Sequence, residues 1–271
     1  MTVTEFFYKN PVFRLEQFYH FKLSKGNLDR RYVRQALQYY LGRGKIVSIR
    51  RGLFAVIPPD QSLKDFFVDS YLLAGTAADD SIISYHTALE LYGVAYSIFQ
   101  KLTFKTEHKI KPFRFQNQLF QPVRHEIYFE KKLHREDYIT TIHRNGATIK
   151  MTNLAATYVD ALDRPDLCGG WEEVYRSLDS ITILPVKDVI NYCLELNSPV
   201  LCAKVGYFLE QRKGMFTVSQ EDLQVLVSHC PKSPYYLDRT NQKSCQYIKK
   251  WNLMIPRSHL NKKWEEPDYA I

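Results

Sequence analysis

Residues 42–59, GRGKIVSIRRGLFAVIPP, constrain the fold of this chain more than any other stretch. Two β-forming runs, Ile46 to Arg50 and Leu53 to Ile57, are separated by Arg51-Gly52 alone. So short a connection calls for a β-hairpin, and Gly52 supplies the positive φ that a two-residue loop usually needs. Pro58-Pro59 closes the second strand, because proline has no N–H to give a ladder. Ahead of the hairpin, Val33, Ala36, Leu37, Tyr40 and Leu41 recur at three- and four-residue spacing. That period predicts a helix from a cap at Asn27 to about Gly42. An earlier helix is expected to start at Asn10-Pro11, with Asn as its cap and Pro in its first turn. Phe13, Leu15, Phe18, Tyr19 and Phe21 would form its apolar face before SKGN breaks it.

Charge separates this segment from the rest of the chain. The 271 residues carry a formal net charge of +8. Residues 1–59 hold 11 Lys and Arg against 3 Asp and Glu, so the whole excess lies there and the remainder is neutral. A field confined to one module is the footprint of polyanion binding on an otherwise neutral body. Away from its apolar stripe, the second helix presents Arg31, Arg34, Gln35 and Gln38, with Arg30 near its start. In the major groove, Arg pairs bidentately with guanine and Gln with adenine. Arg50 and Arg51 at the hairpin tip, with Arg43 and Lys45 leading into it, would meet phosphates. Each feature alone describes a solvated face; their coincidence with the charge excess points to double-stranded DNA. Helix, turn, helix and hairpin is the order of a winged helix-turn-helix, so residues 1–59 are expected to form such a DNA-binding domain. The connection between the two helices is longer than the roughly three- to four-residue turn of a tight helix-turn-helix.

Residues 60–271 read as a larger α+β domain, with helices and an antiparallel sheet. QSLKDFFVDSYLL places Leu63, Phe66, Phe67 and Tyr71 on one helical face, and SYHTALELYG reads as a short helix between a Ser84 cap and a Gly93 stop. Between residues 100 and 150, KLTFKT, FRFQNQLF, HEIYFE and GATIKM are β-forming runs between polar breaks, which predicts a small antiparallel sheet. Helices are expected at NLAATYVDALDRPD, GGWEEVYRSLD, VKDVINYCLEL, PVLCAKVGYFLEQR and SQEDLQVLVSHC. Five cysteines, an odd number without a CxxC pair, suggest free thiols in a reducing compartment. MTVTEFFYKN lacks the pattern of a signal peptide, and no stretch approaches the roughly 18 apolar residues of a membrane span. A cytoplasmic protein without a membrane partner is the expectation.

No Gly-rich phosphate loop, nucleophile elbow or zinc-protease motif is present, and the eight histidines are scattered. Neither a cofactor nor a metal nor a catalytic residue is therefore expected. RPDLCGGWEE raises a metal-dependent nuclease, with Asp166, Glu172 and Glu173 as ligands. Against it, no nearby lysine completes such a set, and Glu172 and Glu173 open a helix, where carboxylates meet the dipole favourably. The chain is read as not an enzyme.

Five stretches in order, GRGKIVSIRRGLFAVIP, SIISYHTALELYG, ALDRPDLCGGWEEVYRSL, AKVGYFLEQR and KKWNLMIP, resemble the AbiEi antitoxin family of type IV abortive-infection toxin–antitoxin systems. The resemblance runs from about Phe13 to Trp264. It implies an antitoxin of phage defence that represses its own operon, binding inverted repeats through a winged helix-turn-helix. It also implies a C-terminal domain that counteracts an AbiEii-type nucleotidyltransferase toxin without a tight complex. The family's DNA contacts fall on Arg31, Arg34, Gln35, Gln38, Lys45, Arg50 and Arg51, with Arg30 and Arg43 as additional phosphate contacts. Its C-terminal motifs bring no catalytic role. There Gly169-Gly170 fits a tight turn, Trp171 and Trp251 fit core anchors, and Asp160 with Arg164 fits a helix-end pair. Lys249, Lys250, Lys262 and Lys263 are candidates for a second basic patch. The alternative is a solitary winged-helix transcriptional regulator whose second domain senses a small ligand or a protein partner.

Overall fold

The computed structural model describes residues 1–24, 26, 29–124 and 135–260. Helices and strands are mixed along them, in the α+β manner. They form two compact units that interleave in sequence. One comprises the described residues of Met1–Ile83, Phe99–Glu126 and Ile139–Met151; the other comprises those of Ser84–Ile98, Ile127–Tyr138 and Thr152–Ile271. The sequence reading places a single cut after Pro59, whereas the N-terminal segment shares its unit with residues from further along the chain.

The first unit opens with α1 (Val3–Lys9), β1 (Val12–Arg14), α2 (Leu15–Leu23), α3 (Arg30–Gly42), β2 (Ile46–Arg50) and β3 (Leu53–Val56). The helix expected from Asn10-Pro11 is corrected here. Asn10 ends α1 instead, its backbone amide and its Nδ2 both donating to the Phe6 carbonyl, at 2.9 and 2.8 Å. Val12 and Phe13 then pair with Ala55 and Phe54, so the cap-and-proline signal yields to strand pairing by β-forming residues. The second helix starts only at Leu15, where the Gln17 side chain accepts from the Arg14 amide at 2.7 Å. Asn27, the expected cap of α3, lies outside the described residues. Asp29 serves, accepting from the Arg31 amide at 2.8 Å.

The hairpin forms as read. Gly52 takes φ 78°, and a bulge between Ser48 and Arg50 adds local twist. β3 runs between β1 and β2, antiparallel to both. Phe6, Phe7, Phe13, Phe18, Phe21 and Phe54 join Val33, Leu37 and Ile46 in one buried cluster. Ring pairs in it, such as Phe6 and Phe21 at 4.7 Å between centroids, each add about 0.5–1.5 kcal/mol beyond their buried area. A short segment can therefore sustain a core of its own.

The unit continues with α4 (Ser70–Thr76) and a sheet in the order β6-β7-β5-β4-β9-β8. Its strands are β4 (Ile82–Ile83), β5 (Lys101–Lys105), β6 (Phe113–Phe115), β7 (Gln118–Val123), β8 (Ile139–Arg144) and β9 (Ala147–Thr152). The antiparallel sheet of the sequence reading is corrected to a mixed one: β5 with β7, and β4 with β9, run parallel. Alternation shows which face a residue takes but not which strand lies alongside, so direction is not encoded locally. The helix expected over Leu63 to Tyr71 also fails. Asp69 caps α4, accepting from the Tyr71 and Leu72 amides, and Leu63 and Phe67 stay exposed while Phe66 is buried. HEIYFE lies outside the described residues.

The second unit is mainly helical. Its helices span His86–Leu91, Leu154–Asp163, Trp171–Asp179, Val186–Glu195, Pro199–Gln211 and Gln220–Ser228, close to where the apolar periodicity puts them. Side chains of Asn153, Ser198 and Ser219 cap three of these. The cap before His86 is Tyr85 rather than Ser84. Tyr85 is buried at φ 58°, a strained backbone for so bulky a residue. Gly169 and Gly170, at φ 85° and 100°, make the turn ahead of Trp171. A small sheet orders β10 (Tyr235–Tyr236), β12 (Leu253–Pro256) and β11 (Cys245–Ile248). Trp171 and Trp251 are both buried. All five cysteines are unbridged, with the Cys193 and Cys202 sulfurs 3.7 Å apart. No described helix is long and apolar enough to cross a membrane.

Candidate nucleic-acid interface

α3 sorts its side chains by helical period. Val33 and Leu37 are buried, Ala36, Tyr40 and Leu41 half-buried, and Arg30, Arg31, Arg34, Gln35 and Gln38 exposed. Steps of three and four residues put Arg31, Arg34, Gln35 and Gln38 on one stripe. Among the described residues, no side-chain hydrogen bond or ion pair engages Arg31, Arg34, Lys45 or Arg51. The guanidinium of Arg30 lies over the Tyr19 ring at 5.5 Å and that of Arg43 over Tyr39 at 5.4 Å, contacts that orient a cation without neutralising it. Arg51 is exposed at the hairpin turn. The Leu15 amide donates to the Gly52 carbonyl at 2.8 Å and ties that turn to the start of α2.

Arg50 corrects the sequence reading. Its Nη2 donates to the Ala77 carbonyl at 3.1 Å, and its guanidinium lies over the Phe113 ring at 4.9 Å. Burial lowers its pKa from the ordinary arginine value. Arg14 is also turned inward, its Nη1 donating to the carbonyls of Ala78 at 3.0 Å and Thr76 at 3.3 Å. Both arginines stand opposite Leu53 across the sheet, on either side of it. Together they satisfy carbonyls that end α4, where cations also meet the negative end of the helix dipole. The tip thus leaves Arg51 exposed and turns Arg50 inward. Period-two alternation gave no signal for this, because the bulge between Ser48 and Arg50 breaks the ladder and Arg51 lies in the turn.

The acidic residues weighed as metal ligands are taken up separately. Arg164 grips Asp166 through two hydrogen bonds, at 2.9 and 2.7 Å. Arg176 donates to Glu172 at 3.0 Å. Glu173 is buried, accepts from the Ser97 amide at 2.8 Å and lies 3.1 Å from His86 Nε2. Burial alone would raise the Glu173 carboxyl pKa, yet the Ser97 hydrogen bonds and His86 hold it below the usual range. Asp160 accepts from the Tyr192 hydroxyl at 3.1 Å. Of the lysines proposed as a second basic patch, Lys250 pairs with Glu210 at 2.5 Å, and Lys262 and Lys263 lie outside the described residues. One constellation escaped the sequence reading: Asp79, Asp80 and His108 offer ligand atoms within 4.8 Å of one another. It is surface-exposed in part, and the sequence separation of Asp79 and His108 left no local spacing to notice.

No protein-family model matches the chain, and no curated protein sequence does. Its fold is similar to that in a crystal structure of the RV2827C protein from Mycobacterium tuberculosis. The TM-score is 0.60 at 13% identity, over 97% of this chain and 94% of that one. At that identity the likeness is one of fold.

Proposed function

We propose that this chain is an antitoxin of the AbiEi type that binds its operator through the N-terminal segment and represses its own operon. The observation that carries the DNA-binding half is the exposed stripe Arg31, Arg34, Gln35 and Gln38 on α3, leading into a hairpin tipped by Arg51. The order α1-β1-α2-α3-β2-β3, with β3 between its neighbours, supports a winged helix-turn-helix. In that arrangement α3 enters the major groove and the hairpin presses on the backbone. The stripe reads base edges, while Arg30, Arg43, Lys45 and Arg51 neutralise phosphates. The antitoxin half rests on the five stretches that resemble the family. It assigns the C-terminal part to countering a nucleotidyltransferase toxin in the cytoplasm, without a tight complex.

The test is titration of the purified protein onto a duplex carrying the inverted repeat upstream of its own gene. With four to six phosphate contacts, log K falls against log salt with a slope of about −4 to −5. Arg51→Ala weakens binding to every sequence and flattens the slope by about 0.9, whereas Gln35→Ala costs about 1–3 kcal/mol at the operator alone. A slope near zero, or one untouched by Arg51→Ala, defeats the DNA-binding half. Co-expression with the adjacent gene tests the other half by relief of growth arrest. A neighbour that is no nucleotidyltransferase favours the solitary regulator.

A further inference from the structure

A cavity of about 660 Å³ opens within the first unit. Small-molecule sites typically measure about 300–1,000 Å³ and pair an apolar lining with a few polar groups. Here α1, the end of α3, the stretch Val56–Pro59 and the segment before α4 supply the walls. Phe7, Val12, Ile57, Phe66 and Leu72 give it buried apolar surface. Tyr8 and Phe67 line it as well, yet remain 83% and 75% exposed.

Its charged lining consists of Lys45 and Asp69. Asp69 is already compensated, accepting from Arg144 Nε at 2.5 Å, from Asn145 Nδ2 at 2.8 Å and from two α4 amides. Lys45 is exposed and Tyr40 half-buried, and neither the ammonium nor the hydroxyl has a hydrogen-bond or ion-pair partner among the described residues. The Lys45 amide donates to the Tyr40 carbonyl at 3.0 Å, which fixes the two backbones beside each other at the end of α3. An ammonium and a phenol are both donors, and both suit one carboxylate.

We propose that this cavity binds a small amphipathic carboxylate, its apolar body against Phe7, Val12, Ile57 and Phe66 and its head on Lys45 and Tyr40. A regulatory consequence follows, resting on the DNA-binding reading as the site itself does not. Lys45 is one of the cations assigned to phosphates. An ammonium occupied by a carboxylate is lost to DNA, so the ligand lowers operator affinity.

Calorimetric titration of the full chain with dodecanoate, dodecanol and dodecyltrimethylammonium tests the site. One dodecanoate binds per chain, at least tenfold more tightly than the cationic amphiphile. Lys45→Met weakens dodecanoate about threefold to tenfold and leaves dodecanol unchanged. Thr4→Trp, an exposed position in the cavity lining, blocks both the acid and the alcohol with its unfolding midpoint retained. Equal binding of the three amphiphiles, no binding, or binding that survives a folded Thr4→Trp overturns the site; the Lys45→Met comparison decides it if the Trp variant does not fold. A dimer in sedimentation that Lys45→Met leaves intact and dodecanoate cannot displace assigns the opening to a second copy, and also overturns it. Saturating dodecanoate weakens duplex binding about threefold to tenfold in the native protein and not in Lys45→Met. Ligand binding with unchanged DNA affinity overturns the coupling alone. No DNA binding at all sinks the functional reading and leaves the calorimetry to judge the cavity.

Discussion

Arg50 and Arg51 are chain neighbours with opposite occupations. The Arg50 guanidinium is held by the Ala77 carbonyl and the Phe113 ring, while Arg51 is exposed at the turn. Composition treats them alike; what separates them is that Arg50 ends a bulged strand while Arg51 lies in the turn. The consequence is a double dissociation. Arg50→Ala loses a charge-assisted hydrogen bond and a ring contact, and lowers stability by about 1–2 kcal/mol, read from urea midpoints, with the salt slope of DNA binding preserved. Arg51→Ala leaves the midpoint in place and flattens the slope. Flattening by Arg50→Ala with no loss of stability contradicts the inward placement. Glu173 teaches the same lesson in the second unit: beside a helix start it resembles a dipole-favoured or metal-binding carboxylate, yet it is a buried acceptor for Ser97 and His86.

At the scale of elements, four of the five stretches quoted for the resemblance meet in two pairs. AKVGYFLEQR and KKWNLMIP meet where Trp251 crosses the helix Pro199–Gln211 at Gly206. A Cβ on Gly206 would stand 2.1 Å from that ring, and Trp251 Nε1 donates to Glu210 at 2.6 Å. SIISYHTALELYG and the WEEVYRSL helix are joined by the same His86–Glu173 contact. Gly206→Ala therefore forces the indole aside and costs about 1–3 kcal/mol, measurable as a lower midpoint of thermal unfolding. An unshifted midpoint would mean the ring has room that the geometry denies. Helices as strongly periodic as α3 and those beyond Asn153 were legible in the sequence, because one face of each must be apolar wherever it docks. β1 was not: three residues carry no period, and pairing with β3 decided their state.

The whole molecule does not divide where its composition does. The charge excess ends at Pro59, yet the residues before it share a compact unit with segments as distant as Ile139–Met151. Arg14 and Arg50 bind carbonyls of residues 76–78 from that side of the boundary. A fragment of residues 60–271 is therefore expected to unfold below the midpoint of the full chain and to bind an apolar dye. Unfolding at the full-length midpoint would restore the simple two-part division. The proposed neutralisation of a toxin is therefore tested in the intact chain carrying Arg34→Ala and Arg51→Ala rather than in that fragment.

The sequence by itself determined the hairpin, the Arg/Gln stripe of α3, the succession of later helices and the confinement of positive charge. Each of these depends on residues a few positions apart, where spacing and turn chemistry act directly. Tertiary structure alone decided which strands pair and in which direction, which arginine turns inward, and that α1, α3 and the segment before α4 enclose a cavity beside Lys45. Those outcomes depend on surfaces meeting across long stretches of chain, and alternation or periodicity specifies only that a face is apolar, never what will cover it.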